Sequence, residues 1–113
     1  MKYIIAIIQP DRMDDVLDEL THQGIHLATV SEVMGRGRQK GISEVYRSHR
    51  ESGGLLRKVK IEIAVNDEFL PAALAAVKKG GHTGHVGDGK VFVFDLEHVM
   101  RIRTGEEGPA AIG

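Results

Sequence analysis

The sequence predicts an α+β fold in which a four-stranded sheet carries two helices on one face, in the order βαββαβ. Three observations predict it. Residues 3–20 (YIIAIIQPDRMDDVLDEL) lie over residues 60–77 (KIEIAVNDEFLPAALAAV) without a gap, so the chain repeats itself. Within each copy a β-branched apolar run gives way, after a polar break, to apolar residues at helical spacing. A further strand-like run follows each helix, at about 26–34 and 90–96.

Taken in order, residues 4–8 form the first strand, and Gln9-Pro10-Asp11 is a break of the kind that starts a helix. Met13, Val16, Leu17 and Leu20 then fall at i, i+3, i+4 and i+7 and make one apolar stripe. Gly24 stands where a C-cap belongs. In the second copy the strand at 61–65 is followed by Asn66-Asp67-Glu68, the stripe Leu70, Ala73, Leu74 and Val77, and Gly80-Gly81 as the expected cap. This is the split βαβ pattern of a ferredoxin-like sandwich. Right-handed crossovers place both helices on the same sheet face.

The other face carries its own information. Val59, Ile61, Ile63 and Val65 alternate with Lys58, Lys60, Glu62 and Ala64, as a strand with one wet face should. Residues 4–8 and 91–94 are apolar at both parities. Two helices cannot cover two faces, so the second face is expected to pack on another subunit. A domain this small buries only about two-thirds of its unfolded surface alone, which also favours an oligomer.

The 113 residues fit one domain. Hydrophobic residues at 42% exclude wholesale disorder, and the absence of cysteine excludes disulfide scaffolds, thiol catalysis and cysteine zinc sites. No apolar run approaches a membrane span and no leader is evident, so a cytoplasmic protein is the expectation. The 15 Lys and Arg nearly balance 16 Asp and Glu, unlike a general polyanion binder. The balance is uneven along the chain, because residues 36–60 carry eight Lys or Arg and only two acids. The Gly-, Ser- and Arg-rich segment at about 35–57 has no period, and a loop of this length is usually functional.

Three clusters have chemical potential. In Thr83-Gly84-His85-Val86-Gly87-Asp88-Gly89-Lys90 the glycines let backbone N–H groups curve into an anion nest beside a lysine. It is not a Walker A loop, since Val91 replaces the Ser or Thr and a strand follows. Arg101 and Arg103, two apart, share a face if the segment is extended, and two guanidinium forks suit a polyphosphate. The third cluster is Gly35-Arg36-Gly37-Arg38-Gln39-Lys40-Gly41, flexible and cationic with a neutral oxygen ligand in Gln39. Against each stands a plainer reading: a glycine turn, a surface ion pair, an RG-type nucleic-acid contact. The six histidines have no zinc-site spacing, and no nucleophile–base set appears, so a nonenzymatic protein is expected.

Together GRGRQKGISEVYR, KVKIEIAV, TGHVGDGKVFVF and RIRTGEEG closely resemble the PII nitrogen-regulatory signal-transduction proteins, in order and over nearly the whole chain. The resemblance implies a homotrimer with sheets facing inward, ATP or ADP sites in the clefts between subunits, and a T-loop that contacts target proteins. It assigns a single domain over 1–113, with the T-loop at about 36–56, the B-loop at about 82–90 and a C-terminal loop at about 101–113. Residue by residue it implies phosphate binding by Gly87, Asp88, Gly89 and Lys90, with Arg101 and Arg103 as a clamp and Gly37 and Arg38 as T-loop contacts. Ile7, Thr29, Gly35, Glu62, Ala64 and Thr83 fall where the family lines the adenine and ribose pocket. It further implies Mg²⁺ on Gln39, joining ATP to 2-oxoglutarate, which Gly37, Gln39, Lys40, Gly41 and Lys58 would hold. A hard cation with phosphate oxygens in its shell suits an amide oxygen.

Some positions depart from the family pattern. The T-loop tyrosine that many members carry for uridylylation falls at Glu51, while Tyr46 remains. His82 and His85 replace frequent Arg and Lys, Gln9 a frequent Lys, and Ala64 a usual valine. The implied partner is an ammonium channel, another transporter or a metabolic enzyme, with a membrane reached only through a transporter. An RNA-binding ferredoxin-like module using the basic loop is the competing reading. It is disfavoured because Phe92 and Phe94 lie in an apolar run rather than forming an RRM-style aromatic pair.

Overall fold

The computed structural model describes residues 1–37 and 54–112. Arg38, Gln39, Lys40, Gly41, Tyr46 and Glu51 lie outside the described residues, so the expectations placed on them are not addressed by it. Strand β1 (Lys2–Ile8) leads through a 3₁₀ turn (Pro10–Arg12) into α1 (Met13–His22) and β2 (Thr29–Gly35). Strand β3 (Leu56–Val65) leads through a second 3₁₀ turn (Asp67–Phe69) into α2 (Leu70–Gly81) and β4 (Gly89–Asp95), and a short α3 (Pro109–Ile112) follows. The repeat therefore extends to the turns, each of which starts its helix with proline near the N-terminus.

The described strands form one sheet in the order β2-β3-β1-β4, every neighbour antiparallel. This is the ferredoxin-like α+β arrangement. Ile4, Ala6 and Ile8 of β1 and Val59, Ile61, Ile63 and Val65 of β3 meet Val16 and Leu20 of α1 and Ala73, Ala76 and Val77 of α2 in one buried core. Met13, Leu17 and Leu70 pack at its margin. Within α2 the buried position next to Val77 is Ala76, while Leu74 is only half-buried.

Two local expectations are corrected. Gly24 follows the helix with φ +78°, as a cap should, but Gly80 and Gly81 belong to α2 and are buried. A Cβ on Gly80 would stand 2.6 Å from Val16 Cα, so this glycine lets the two helices touch backbone to backbone. Strand β2 begins at Thr29 rather than about residue 26, because Gly24 and Ile25 donate back to Thr21 and Leu20 and hold the helix exit. Strands β3 and β4 already start at Leu56 and Gly89, inside the spans expected for the T-loop and B-loop.

The face away from the helices carries Tyr3, Ile5 and Ile7, with Phe94, Phe92 and Lys90 opposite them on β4 and Ala64, Glu62 and Lys60 on β3. Phe92 and Phe94 are 45% and 52% exposed. The argument that these phenylalanines are only part of an apolar run is corrected, since pleating turns both to the open face. No helix among the described residues is long and apolar enough to cross a membrane.

Candidate functional site

The sequence-selected residues fall at two ends of the open face. At the end where β1 finishes, Ile7 is opposite Lys60 on one side and Lys90 on the other. Gly35 closes β2 there, with Lys58 Cγ 3.4 Å from where its Cβ would be, and Gly37 follows. The glycine turn between α2 and β4 completes this end. At the end where β1 begins, Tyr3 is opposite Ala64, and Glu62 is paired with both Ile5 and Thr29. Four residue steps along β1 separate Tyr3 from Ile7, about 13 Å at strand rise.

The glycine turn is built around Asp88. Its carboxylate accepts from the N–H of Thr83 at 2.8 Å, from the N–H of Gly84 at 3.0 Å and from the Thr83 hydroxyl. Thr83 Oγ1 in turn accepts from the His85 N–H at 3.1 Å, and His82 Nδ1 lies 3.7 Å from Asp88. The carboxylate therefore shapes the turn. Gly84, Gly87 and Gly89 have φ of +86°, +103° and +107°, a region L side chains rarely adopt. Gly89 is obligatory on a second ground, because a Cβ there would fall 1.8 Å from the Ile7 carbonyl oxygen. From outside the turn, Gln9 Nε2 donates to the Gly87 carbonyl at 2.6 Å and Lys58 Nζ reaches the same oxygen at 3.5 Å. Among the described residues the N–H groups of Val86 and Gly87 meet no acceptor. Adjacent amides of this kind, with Lys90 on the following strand, suit an anion.

At the opposite end, Tyr3 donates its hydroxyl to Glu62 at 2.8 Å, and Lys60 Nζ lies 4.0 Å from the same carboxylate. Burial first, then the hydrogen bond and charge of Glu62, push the Tyr3 phenol above its ordinary value. A cavity of about 360 Å³ adjoins Ala64, lined also by His26, Leu27, Asn66, Phe69 and Ile112. Asn66 donates to the Pro109 carbonyl at 3.1 Å, while its Oδ1 is buried with no partner among the described residues. Sequence reasoning did not select His26, Leu27, Phe69 or Ile112. They come from three separate elements and have no motif to announce them.

Arg101 and Arg103 are corrected in geometry. Residues 102–104 form a turn, closed by Gly105 N–H to the Arg101 carbonyl at 2.8 Å, so the extended segment with a shared face is not what forms. Arg101 lies 3.2 Å from Glu106 and donates to the Ala111 carbonyl at 3.3 Å, which places it beside α3 and the Ala64 end of the sheet. Arg103 is exposed on the turn. Among the described residues no group of three His, Cys, Asp or Glu is placed to hold a metal ion.

Fold and side chains define a small α+β protein whose polar groups hold a turn and a strand face in shape. The family profile described as Nitrogen regulatory protein P-II matches residues 1–106. Similar proteins include Nitrogen regulatory protein GlnK1 of Methanosarcina mazei, 54% identical over 99% of this chain and 97% of the relative. Nitrogen regulatory protein P-II 2 of Methanothermobacter thermautotrophicus is 47% identical over 99% and 97%, and P-II 1 of Escherichia coli K12 is 50% identical over 99% and 100%. The chain belongs to the nitrogen regulatory protein P-II family. It is a signal-transduction regulator that acts on target proteins, and not an enzyme.

Proposed function

We propose that this regulator senses adenine nucleotide and 2-oxoglutarate and passes their status to a transporter, an ammonium channel or a metabolic enzyme through the segment around 36–56. The observation that carries the reading is the division of the candidate residues between two ends of one sheet face. Thr83, Gly87, Asp88, Gly89, Lys90, Ile7, Gly35, Gly37 and Lys58 cluster at one end. Thr29, Glu62, Ala64 and Arg101 cluster at the other, with Arg103 on the neighbouring turn. One nucleotide engages both sets when the second set comes from another copy, in a homotrimer that also covers Ile5, Phe92 and Phe94.

The donor sets fit such a ligand. The Val86 and Gly87 amides and Lys90 suit phosphate oxygens, and the cavity beside Ala64, with the unpartnered Asn66 Oδ1, suits a flat ring bearing an amine. Lys58 is assigned to a 2-oxoglutarate carboxylate, together with Gly37, Lys40, Gly41 and Gln39. Mg²⁺ held at Gln39 would neutralise phosphate and acid charge. ATP with 2-oxoglutarate, or ADP, then shifts the T-loop between arrangements by binding one better than the other.

Calorimetric titration with ATP or ADP, with and without Mg²⁺ and 2-oxoglutarate, tests this. Nucleotide binding is expected, with 2-oxoglutarate binding only beside MgATP. Equal 2-oxoglutarate binding without nucleotide would remove Gln39 from its role, and no nucleotide binding would end the proposal. The shared open face of Phe92 and Phe94 gives the RNA reading a platform, so a mobility-shift assay is a useful companion. No shift is expected, because the trimer covers that platform.

A further inference from the structure

Gln9 is the buried polar side chain of the described core, 1% exposed, and it stands immediately after β1. It occupies the N-cap position of the 3₁₀ turn but makes no side-chain cap there. Its amide is instead committed 78 residues away, to the carbonyl of Gly87 at 2.6 Å. A buried donor of this kind is costly to leave unmade, so the contact is fixed rather than incidental.

The carbonyl it holds belongs to the peptide that joins Gly87 to Asp88. All peptide bonds described are trans, so the C=O and the following N–H of one plane point in opposite directions. Holding Gly87 C=O toward Gln9 fixes the plane whose N–H is that of Asp88, and through the Gly87 hinge, where φ is +103°, it limits the path of the chain back to the Val86 and Gly87 amides. The turn has three other anchors: the Asp88 carboxylate on Thr83 and Gly84, the close approach of Gly89 to Ile7, and Lys58 Nζ, longer than Gln9 at 3.5 Å from the same Gly87 carbonyl. Between the carboxylate and the strand glycine leaves the backbone free to rotate, and Gln9 supplies the shorter of the two contacts that restrain it. We infer that Gln9 is a positioning residue for anion recognition: through the Gly87 carbonyl it holds the Val86 and Gly87 amides ready for the phosphates of a nucleotide. This rests on the nucleotide-sensing reading above and adds a residue that acts through the turn.

The test uses the full chain and compares ADP with adenosine, which lacks phosphates, in competition binding. Gln9→Met keeps the length and removes the donor. ADP should bind roughly 5- to 30-fold more weakly and adenosine within about twofold of the parent, since a lost hydrogen bond to the turn weakens only what the turn holds. Equal losses for both ligands would make Gln9 merely structural and overturn the inference, as would an unchanged ADP affinity. Gln9→Lys keeps a donor that reaches the carbonyl and should hold ADP affinity at or above about one-third of the parent value. A loss as large as that of Gln9→Met would show that the donor is irrelevant. Hydrogen exchange on the unliganded proteins gives a ligand-free readout: the Val86 and Gly87 amides should exchange faster in Gln9→Met while β1 and α1 do not change. A parent that binds no ADP would instead refute the nucleotide reading itself. A parent that binds ADP, beside an unaltered Gln9→Met, would refute only the role of Gln9.

Discussion

Asp88 shows how a charge can serve the proposed anion site by turning into its own loop. A carboxylate aimed at phosphate would repel it, but here three donors of the turn meet its oxygens. The sign of a mutation separates the two roles. Asp88→Ala should weaken ADP, because relaxing the turn costs more than removing a screened negative charge returns; tighter binding would mean that Asp88 faces the ligand. Lys90→Ala should weaken ATP about 10- to 150-fold in calorimetry, the loss expected for a charge-assisted hydrogen bond. At this scale the glycine turn at 83–90 was legible in the sequence, since closely spaced glycines are what the positive φ of Gly84, Gly87 and Gly89 requires. The inward turn of Asp88 and the Gln9 contact were not, because they join residues that no local pattern connects.

The helices and strands were legible where period alone decides, and less so where contact with another element decides. Gly80-Gly81 read as a cap because glycine usually ends a helix. What it does here is admit Val16, and only the crossing of α1 and α2 reveals that. Gly80→Ala should therefore cost about 1–3 kcal/mol in denaturant unfolding despite the better helix propensity of alanine, as overpacking does. The extended geometry expected of Arg101 and Arg103 was missed in the same way, because the chain turns between them and Arg101 takes Glu106 and Ala111 as partners. Strand ends add a pH signature. Lys2 and Asp95 are opposite each other on β1 and β4 and bonded. The hydrogen bond from Lys2, then its charge, lowers the Asp95 carboxyl below its ordinary 3.8, and the same contacts raise Lys2. The Asp95 contribution is thus present above 3.8 and lost as pH falls through the lowered value, while that of Lys2 is lost only as pH rises through its raised one. Asp95→Asn should unfold earlier than the parent at neutral pH and alike in strong acid. The difference should be small, since the pair is exposed and salt screens it.

For the whole molecule, the doubly apolar strands β1 and β4 were the sequence's clearest statement about assembly. The open face with Ile5, Phe92 and Phe94 is the surface they produce. Sedimentation should give three times the chain mass at micromolar concentration. Phe92→Asp should lower that mass while far-UV circular dichroism still reports folded chain, and a parent sedimenting as a monomer would contradict the trimer. The placement of Lys90 and Arg101 at opposite ends of the sheet then has a genetic consequence. In the proposed trimer a cleft takes one end from each of two neighbours, so Lys90→Ala and Arg101→Ala would damage different halves of the same cleft. Co-expressed in equal amounts, two alleles that each bind weakly alone should complement in part, because about a quarter of the clefts in randomly mixed trimers would unite the two undamaged halves.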